Sequence, residues 1–170
     1  MPPPIVKTIR DQIYWEYAKL IADSAVHDRK NYAFVMHSFC KLRDGAMHPS
    51  SILRENKMLC LDEKQCAYCN ATGDLEWEHI IPRVKIDLDT IDNQVLACRK
   101  CNASKGGKDP FEWYSDQFGK EGKYKIPRLV LGKYLKLIFE IHEKQGTLDS
   151  HGLHGDKKID VYDLGVIFSE

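Results

Sequence analysis

The fold of this chain is decided by two short stretches of its sequence, Cys66-Ala67-Tyr68-Cys69 and Cys98-Arg99-Lys100-Cys101. Each C-x2-C pair forms a tight turn that points two thiolates at one centre, and 28 residues separate the pairs. Four thiolates make a closed tetrahedral site of the kind that holds a structural zinc ion. The spacing therefore predicts a zinc site that stabilises a loop-rich region. Cys40 and Cys60 lack such partners, and we interpret them as buried small apolar residues.

The composition is that of an ordinary globular protein. The chain has 170 residues, of which 43% are hydrophobic and 29% charged. No apolar run approaches the length of a membrane span, and the first residues lack a secretory signal. We therefore expect a cytoplasmic protein, where cysteines stay reduced and bind metal rather than form disulfides.

Apolar residues recur at helical spacing on both sides of the cysteine region. Between Lys64 and Lys108 that spacing stops, and short apolar pieces around Ile80 and Val95 predict small strands. Asp109, followed by Pro110 and three residues on by Glu112, predicts a capped helix that ends at Gly119 or Gly122. The other predicted elements are helices over 5–27 and 30–43, a short helix after Ser50 or Ser51, a helix over 125–145, and one strand within 159–167.

These elements suggest three segments of one globular unit. Residues 1–60 form a helical N-terminal segment packed on the core. Residues 61–119 form the core with the cysteine pairs. Residues 120–170 add a C-terminal helix and a tail.

The loop between the cysteine pairs carries the candidate chemistry. It contains Glu76-Trp77-Glu78-His79-Ile80-Ile81-Pro82 and Asp92-Asn93, and Asn102 directly follows the last cysteine. A four-cysteine zinc has no open position for catalysis, so any reaction depends on these residues. Carboxylate and amide oxygens suit a hard divalent cation such as Mg²⁺. A neutral imidazole suits a general base that takes a proton from water.

The stretch from Cys66 to Tyr114 resembles the HNH endonucleases, whose fold is the ββα-metal finger. The matching residues are the two cysteine pairs, Glu78-His79-Ile80-Ile81-Pro82, Ile91-Asp92-Asn93, Cys101-Asn102 with Lys105-Gly106, and Asp109-Pro110 with Trp113. It is also similar to the HNH nuclease domain of CRISPR effectors, which lacks the cysteines. The resemblance, together with the helices predicted from apolar spacing on both sides, implies an α+β fold: a small ββα-metal (HNH) core with a four-cysteine zinc site, embedded in N- and C-terminal α-helices.

The resemblance also implies a role for each residue of the motif. His79 would be the general base that activates water, and Asn102 would help to bind a catalytic Mg²⁺ or Mn²⁺. Glu78 stands where the family usually has aspartate and would be the other protein ligand of that cation. Asn93 would tie the loop together and orient the His79 ring. The products would be a 5′-phosphate and a 3′-hydroxyl.

The carboxylate ligand has two candidates. Neighbouring strand residues point to opposite faces, so Glu78 and His79 share a cation only at a twisted strand end. If the strand stays regular there, Glu76 lies on the same face as Glu78 and competes with it. We favour Glu78 and leave Glu76 open.

The formal net charge is zero, which alone would argue against a nucleic-acid partner. The charge is unevenly distributed, however: +3 over 1–60, −4 over 61–78, +5 over 79–136 and −4 over 137–170. Phosphate binding needs such a local cluster rather than a basic protein. Gly106-Gly107 would let a strand approach the backbone. The predicted nucleic-acid contacts are Lys100, Lys105, Lys108, Lys125 and Arg128.

Four other side chains receive structural interpretations. We expect Trp77 and Tyr68 to pack beside the zinc site rather than stack on bases. His151 and His154 have no partner cluster in the sequence, so we interpret them as loop histidines.

The leading hypothesis is an HNH endonuclease that acts on DNA rather than RNA, of restriction, phage-defence or mobile-element type. The alternative is a non-catalytic zinc-containing module that binds nucleic acid. A homodimer or a partner protein stays open, as does the target sequence.

Overall fold

The computed structural model of the protein describes residues 2–49, 64–151, 156 and 158–168. The chain divides into two compact units, which are described separately. The helical unit comprises residues 1–52 and 135–170, and the cysteine unit comprises residues 53–134. The predicted helix after Ser50 or Ser51, Cys60 and His154 lie outside the described residues. The predicted packing of residues 1–60 on the core stays a prediction.

Two helices, α1 (Ile9–Val26) and α2 (Tyr32–Arg43), pack against each other in the helical unit. Thr8 and Asp11 form a reciprocal capping box that begins α1, and the left-handed His27 ends it. The Trp15 and Phe39 rings meet edge to face, with centroids 5.7 Å apart, in the core between the helices. Both helices were predicted from apolar spacing. Cys40 on α2 is only half-buried rather than fully buried as expected.

The first described elements of the cysteine unit are two short strands followed by a helix, in the order ββα. Strands β1 (Leu75–His79) and β2 (Gln94–Cys98) pair antiparallel, with His79 opposite Gln94 and Leu75 opposite Cys98. Helix α3 (Arg99–Lys105) follows β2 without a break. Helices and a small two-stranded sheet confirm the predicted α+β class.

Helix α4 (Pro110–Phe118) begins with the predicted capping box, because Asp109 and Glu112 accept each other's backbone N–H. Gly119 ends the helix. A 3-10 turn over Gly119–Tyr124 follows, in which a Cβ at Gly122 would collide with the backbone of Tyr114. Only glycine fits this close approach.

Helix α5 (Arg128–Gln145) runs from the cysteine unit into the helical unit. Its predicted apolar stripe is buried at Val130, Tyr134, Leu137 and Ile138. No described helix has the length and apolar character needed to cross a membrane.

The prediction of a strand in the tail is wrong, since residues Val161–Phe168 form a 3-10 helix. The Asp163 carboxylate accepts the backbone N–H of Asp160 at 2.8 Å and stabilises the first turn. Val161 and Leu164, three residues apart, are both buried on one side of the turn. The run of apolar residues indicated burial correctly, but a buried run alone does not separate a strand from a helix.

Candidate functional site

The four predicted cysteines meet in one cluster. The Sγ atoms of Cys66, Cys69, Cys98 and Cys101 all lie within 4.8 Å of one another, and Cys69 Sγ is 3.7 Å from Cys98 Sγ. A tetrahedral zinc with Zn–S bonds of about 2.3 Å would place its sulfur ligands about 3.8 Å apart. The donor set therefore fits a closed structural zinc site.

The two cysteine turns are anchored to the strand and the helix. The backbone N–H of Ala67 donates to Leu96 O on β2 at 2.8 Å, and Cys98 itself caps α3. The backbone N–H of Cys101 hydrogen-bonds to the Cys98 thiol and lowers its pKa to about 7, which favours the thiolate that binds metal. The cluster thus fixes the start of α3, where Asn102 lies.

His79 ends β1 and contacts a carboxylate, Asp89, that was not predicted from the sequence. Its Nε2 is 3.0 Å from Asp89 Oδ1, and Gln94 Nε2 donates to the same oxygen at 2.8 Å. The hydrogen bond from His79 lowers the pKa of Asp89, so this carboxylate is ionised at neutral pH. The signal that could have found it is the cross-strand pairing of His79 with Gln94, which requires the strand register.

Asn93 is buried and ties the loop between the strands together. Its Oδ1 accepts the backbone N–H of Ile81 at 2.9 Å, and its Nδ2 donates to Ile81 O at 3.0 Å and Leu88 O at 2.9 Å. Asn93 therefore contacts backbone atoms at two points of the loop, and its role in the site stays a prediction. Among the described residues, the side chains in hydrogen-bond contact with the His79 ring are Asp89 and Gln94, and Asn93 is connected to the ring only through the loop.

Glu78 is buried, with 5% of its surface exposed, and both of its oxygens have protein partners. Oε1 accepts from Lys105 Nζ at 2.6 Å, and Oε2 accepts from the Tyr68 hydroxyl at 2.6 Å. Burial and, after it, the negative charge of Glu78 raise the pKa of Tyr68 well above its ordinary value. This geometry does not support Glu78 as the cation ligand that the resemblance implied, because both carboxylate oxygens already have partners.

Glu76, the open alternative, is exposed and contacts Asn102. Asn102 Nδ2 donates to Glu76 Oε1 at 2.8 Å, so strand β1 and helix α3 bring together a carboxylate and an amide. These groups supply the oxygen ligands that Mg²⁺ and Mn²⁺ take. Of the two carboxylates, the structure therefore brings Glu76 rather than Glu78 beside Asn102.

The strand divides these groups between its two faces. Glu76 and Glu78 contact residues of α3, namely Asn102 and Lys105, whereas His79 pairs with Asp89 and Gln94. The regular pairing of β1 with β2 extends to His79 itself. Within the described residues, no hydrogen bond joins the His79 ring to Glu76, Glu78 or Asn102.

A comparison with protein families finds a match over the segment that holds these residues. Residues 66–108 match the family model HNH endonuclease. The matched segment, the HNH segment below, spans both cysteine pairs, both strands and α3, and it confirms the resemblance drawn from the motifs. No significant match was found among curated proteins or among solved structures.

The predicted nucleic-acid contacts differ in their exposure. Lys105, inside the HNH segment, is 1% exposed and its ammonium binds Glu78 and the backbone oxygen of His79, so it cannot reach a phosphate. Lys100 on α3 is exposed. Lys108 pairs with Asp116 at 2.6 Å with about half of its side chain exposed. Lys125 is exposed and Arg128 half-buried.

The structure also describes three aromatic and histidine side chains for which the sequence predicted no role in catalysis. Tyr68 is in edge-to-face contact with Trp113 at 5.1 Å and packs as expected, next to the cysteine cluster. Trp77, by contrast, is 52% exposed rather than packed. His151 is an exposed loop residue whose Nδ1 donates to Lys7 O at 2.7 Å.

Proposed function

We propose that this protein is an endonuclease that hydrolyses DNA phosphodiester bonds with a divalent cation, using His79 to activate water. The observation that carries the proposal is the His79–Asp89 pair at the end of β1, inside the segment that matches the HNH endonuclease family. A module that only binds nucleic acid does not need an imidazole held by an ionised carboxylate.

His79 would take a proton from water while the water oxygen attacks phosphorus. A carboxylate can only accept a hydrogen bond, so the contact with Asp89 assigns the proton of the neutral ring to Nε2 and the lone pair to Nδ1. The bond from phosphorus to the 3′ oxygen would break, leaving a 5′-phosphate. The 3′ oxygen would leave as a hydroxyl after protonation.

Glu76 and Asn102 would hold Mg²⁺ or Mn²⁺ through one carboxylate and one amide oxygen. The cation, when bound, would polarise the scissile phosphate and stabilise the negative charge of the leaving oxygen. Glu76 is exposed and already in contact with Asn102, which supports it as the ligand. Glu78 would have a structural role instead, as the partner of Lys105 in a buried ion pair.

A zinc ion on the four cysteines would support this site without joining the reaction. Cys101 and Asn102 are adjacent in the first turns of α3, so a ligand bond to Cys101 would restrain the Asn102 backbone. A structural metal can in this way hold a neighbouring functional side chain in a fixed position.

One observation favours a second candidate, the non-catalytic zinc module that binds nucleic acid. Glu76 with Asn102 and His79 lie on different faces of β1, and catalysis requires that they act on one phosphate. A binding module has no such requirement.

Plasmid cleavage separates the two candidates. Zinc-loaded protein, with about one zinc per chain by elemental analysis, is incubated with supercoiled DNA and Mg²⁺ or Mn²⁺. If the protein is a nuclease, the supercoiled DNA is expected to become nicked or linear. This cleavage should be abolished by EDTA and by His79→Ala. Retarded but intact DNA under all these metal conditions would contradict the enzyme and support the module. A role in restriction or phage defence stays a prediction, and the oligomeric state stays open.

A further inference from the structure

The Asp89 carboxylate lies beside the ring of the proposed general base, His79. Its Oδ1 lies 3.0 Å from His79 Nε2 and also accepts from Gln94 Nε2 at 2.8 Å. Gln94 Nε2 is itself 3.4 Å from His79 Nε2. The three side chains therefore form a closed triangle on one side of the imidazole.

The donors and acceptors of this triangle allow one consistent assignment. The Asp89 carboxylate has no proton to give, so His79 Nε2 and Gln94 Nε2 both donate to it. Within the described residues, His79 Nδ1 makes no hydrogen bond, and the side chain is 23% exposed. The Lys105 ammonium, which also contacts His79, binds its backbone oxygen rather than the ring.

The surrounding loop places the Asp89 carboxylate. Asn93 Nδ2 donates to the carbonyl of Leu88, the residue before Asp89. Lys133 Nζ donates to the carbonyls of Ile91 and Gln94 at 2.9 and 2.6 Å, which holds the 3-10 turn Ile91–Asn93 and the start of β2. Both ends of the segment from Asp89 to Gln94 are thus restrained by side chains.

We propose that Asp89 is a positioning residue that keeps the His79 ring in its Nε2–H tautomer, leaving Nδ1 to accept the proton of water. Gln94 holds Asp89 in place. The kinetic part of this inference rests on the proposed nuclease function, whereas the tautomer of His79 can be measured without any cleavage. Asp89 acts through His79 and need not touch the substrate.

Removal of Asp89 is expected to change the tautomer of the His79 ring, because Gln94 remains beside it. Without the carboxylate, the Gln94 amide, whose Nε2 lies 3.4 Å from His79 Nε2, can donate to it. That hydrogen bond selects the opposite tautomer, in which Nδ1 carries the proton and cannot act as a base. A general loss of packing would not produce this exchange.

The direct test is ¹⁵N NMR of the histidine rings in the full zinc-loaded chain at a pH where His79 is neutral. The His79 signals are assigned by their loss in His79→Ala. Wild type is expected to show Nε2 protonated and Nδ1 unprotonated. Asp89→Ala is expected to shift the population toward Nδ1–H, and Asp89→Ala with Gln94→Ala to reduce that shift.

The matched control is Asp87→Ala, which removes an exposed carboxylate of the same loop that pairs with Arg83 at 3.0 Å. It should leave the His79 tautomer as in wild type. In cleavage assays, Asp89→Ala is expected to lower kcat by about 10–100-fold, as removal of a partner that orients a histidine commonly does. KM should change little, and Asp89→Glu should restore part of kcat.

Two results would overturn the inference: a wild-type His79 that carries its proton on Nδ1, or an Asp89→Ala variant with an unchanged tautomer. Equal kcat for Asp89→Ala and wild type would overturn its kinetic part. A wild-type protein that shows the expected tautomers but never cuts DNA would contradict the proposed function while supporting the role of Asp89 toward His79.

Discussion

Lys105 Nζ lies 2.6 Å from Glu78 Oε1, and both side chains are buried. The same ammonium donates to the backbone oxygen of His79, and the other Glu78 oxygen accepts from Tyr68 in the first cysteine turn. One buried ion pair therefore joins the cysteine turn, β1 and α3. Burial lowers the pKa of Lys105, and the nearby Glu78 carboxylate opposes that shift.

The first prediction concerns this ion pair and the stability of the fold. Lys105→Met leaves the Glu78 carboxylate buried without its cation and should lower the free energy of unfolding by about 3–5 kcal/mol. Glu78→Leu should have a similar effect, and the double variant should lose clearly less than the sum. Urea unfolding at constant zinc measures all three.

Lys100→Met is the control, since Lys100 lies on the same helix but is exposed. It should change the free energy of unfolding by less than about 0.5 kcal/mol. Additive effects of Lys105→Met and Glu78→Leu would show that the two side chains do not act as a pair.

The second prediction distinguishes the two carboxylates at the proposed cation site. Glu76→Gln and Asn102→Ala should each weaken Mn²⁺ binding by about tenfold or more, because each removes or weakens an oxygen ligand. Glu78→Gln should retain an affinity close to wild type, provided that its zinc content and circular dichroism remain native. Electron paramagnetic resonance of free Mn²⁺ in a titration gives these affinities. Loss of Mn²⁺ binding in a folded Glu78→Gln, with Glu76→Gln unaffected, would assign the ligand to Glu78.

The third prediction concerns pH and His142 of the helical unit. This fully buried ring donates from Nε2 to Leu164 O at 3.3 Å and contacts the Thr147 hydroxyl at 2.7 Å through Nδ1. Burial lowers the pKa of His142 below 6.5, so the unfolded chain binds the proton more readily than the folded one. The contribution of neutral His142 to stability is complete above the unfolded pKa and is lost as the pH falls through the folded pKa.

Urea midpoints should therefore fall between about pH 7.5 and pH 5, and His142→Gln should flatten this dependence while lowering stability throughout. His37→Gln, at an exposed position on α2, should keep the wild-type slope. An identical slope in His142→Gln would exclude His142 as its cause.

The fourth prediction separates exposed lysines from the buried one in DNA binding. Lys100→Ala should weaken binding to a short duplex similarly for all sequences and reduce the salt slope of the logarithmic affinity by about 1. Lys41→Ala, on the exposed side of α2, should leave the slope unchanged. Fluorescence anisotropy over a series of salt concentrations measures both. An unchanged slope in Lys100→Ala would remove Lys100 from the binding surface.

The fold was largely predictable because its signals are local. C-x2-C spacing, the Asp109–Glu112 capping box and the stripe around Tyr134 each depend on residues within a few turns of one another, and all appear in the structure. The prediction of a strand in the tail failed for a physical reason. A run of buried apolar residues such as the one around Val161 and Leu164 is compatible with a strand or with a helix, and the first turn of the 3-10 helix also depends on the side chain of Asp163.

The candidate site was predictable in its residue types but less so in its pairings. His79, Asn93 and Asn102 follow from the motif, whereas Asp89 becomes visible only through the register that sets Gln94 opposite His79. Lys105 was predicted to bind phosphate because it is charged and lies beside Gly106-Gly107. Nothing in the sequence around it indicates that its side chain is buried. Its partner Glu78 lies 27 positions away, a separation that only the packing of α3 on β1 reveals.

The central claim, that His79 activates water in a nuclease reaction, is tested most directly by single-turnover cleavage of a DNA duplex with zinc content held equal among variants. His79→Ala should cut about 10²–10⁴-fold more slowly than wild type, the usual contribution of a general base. The matched variant His37→Ala, outside the HNH segment, should cut at the wild-type rate. Equal cleavage rates for His79→Ala and His37→Ala, or no metal-dependent cleavage by the wild-type protein, would contradict the claim.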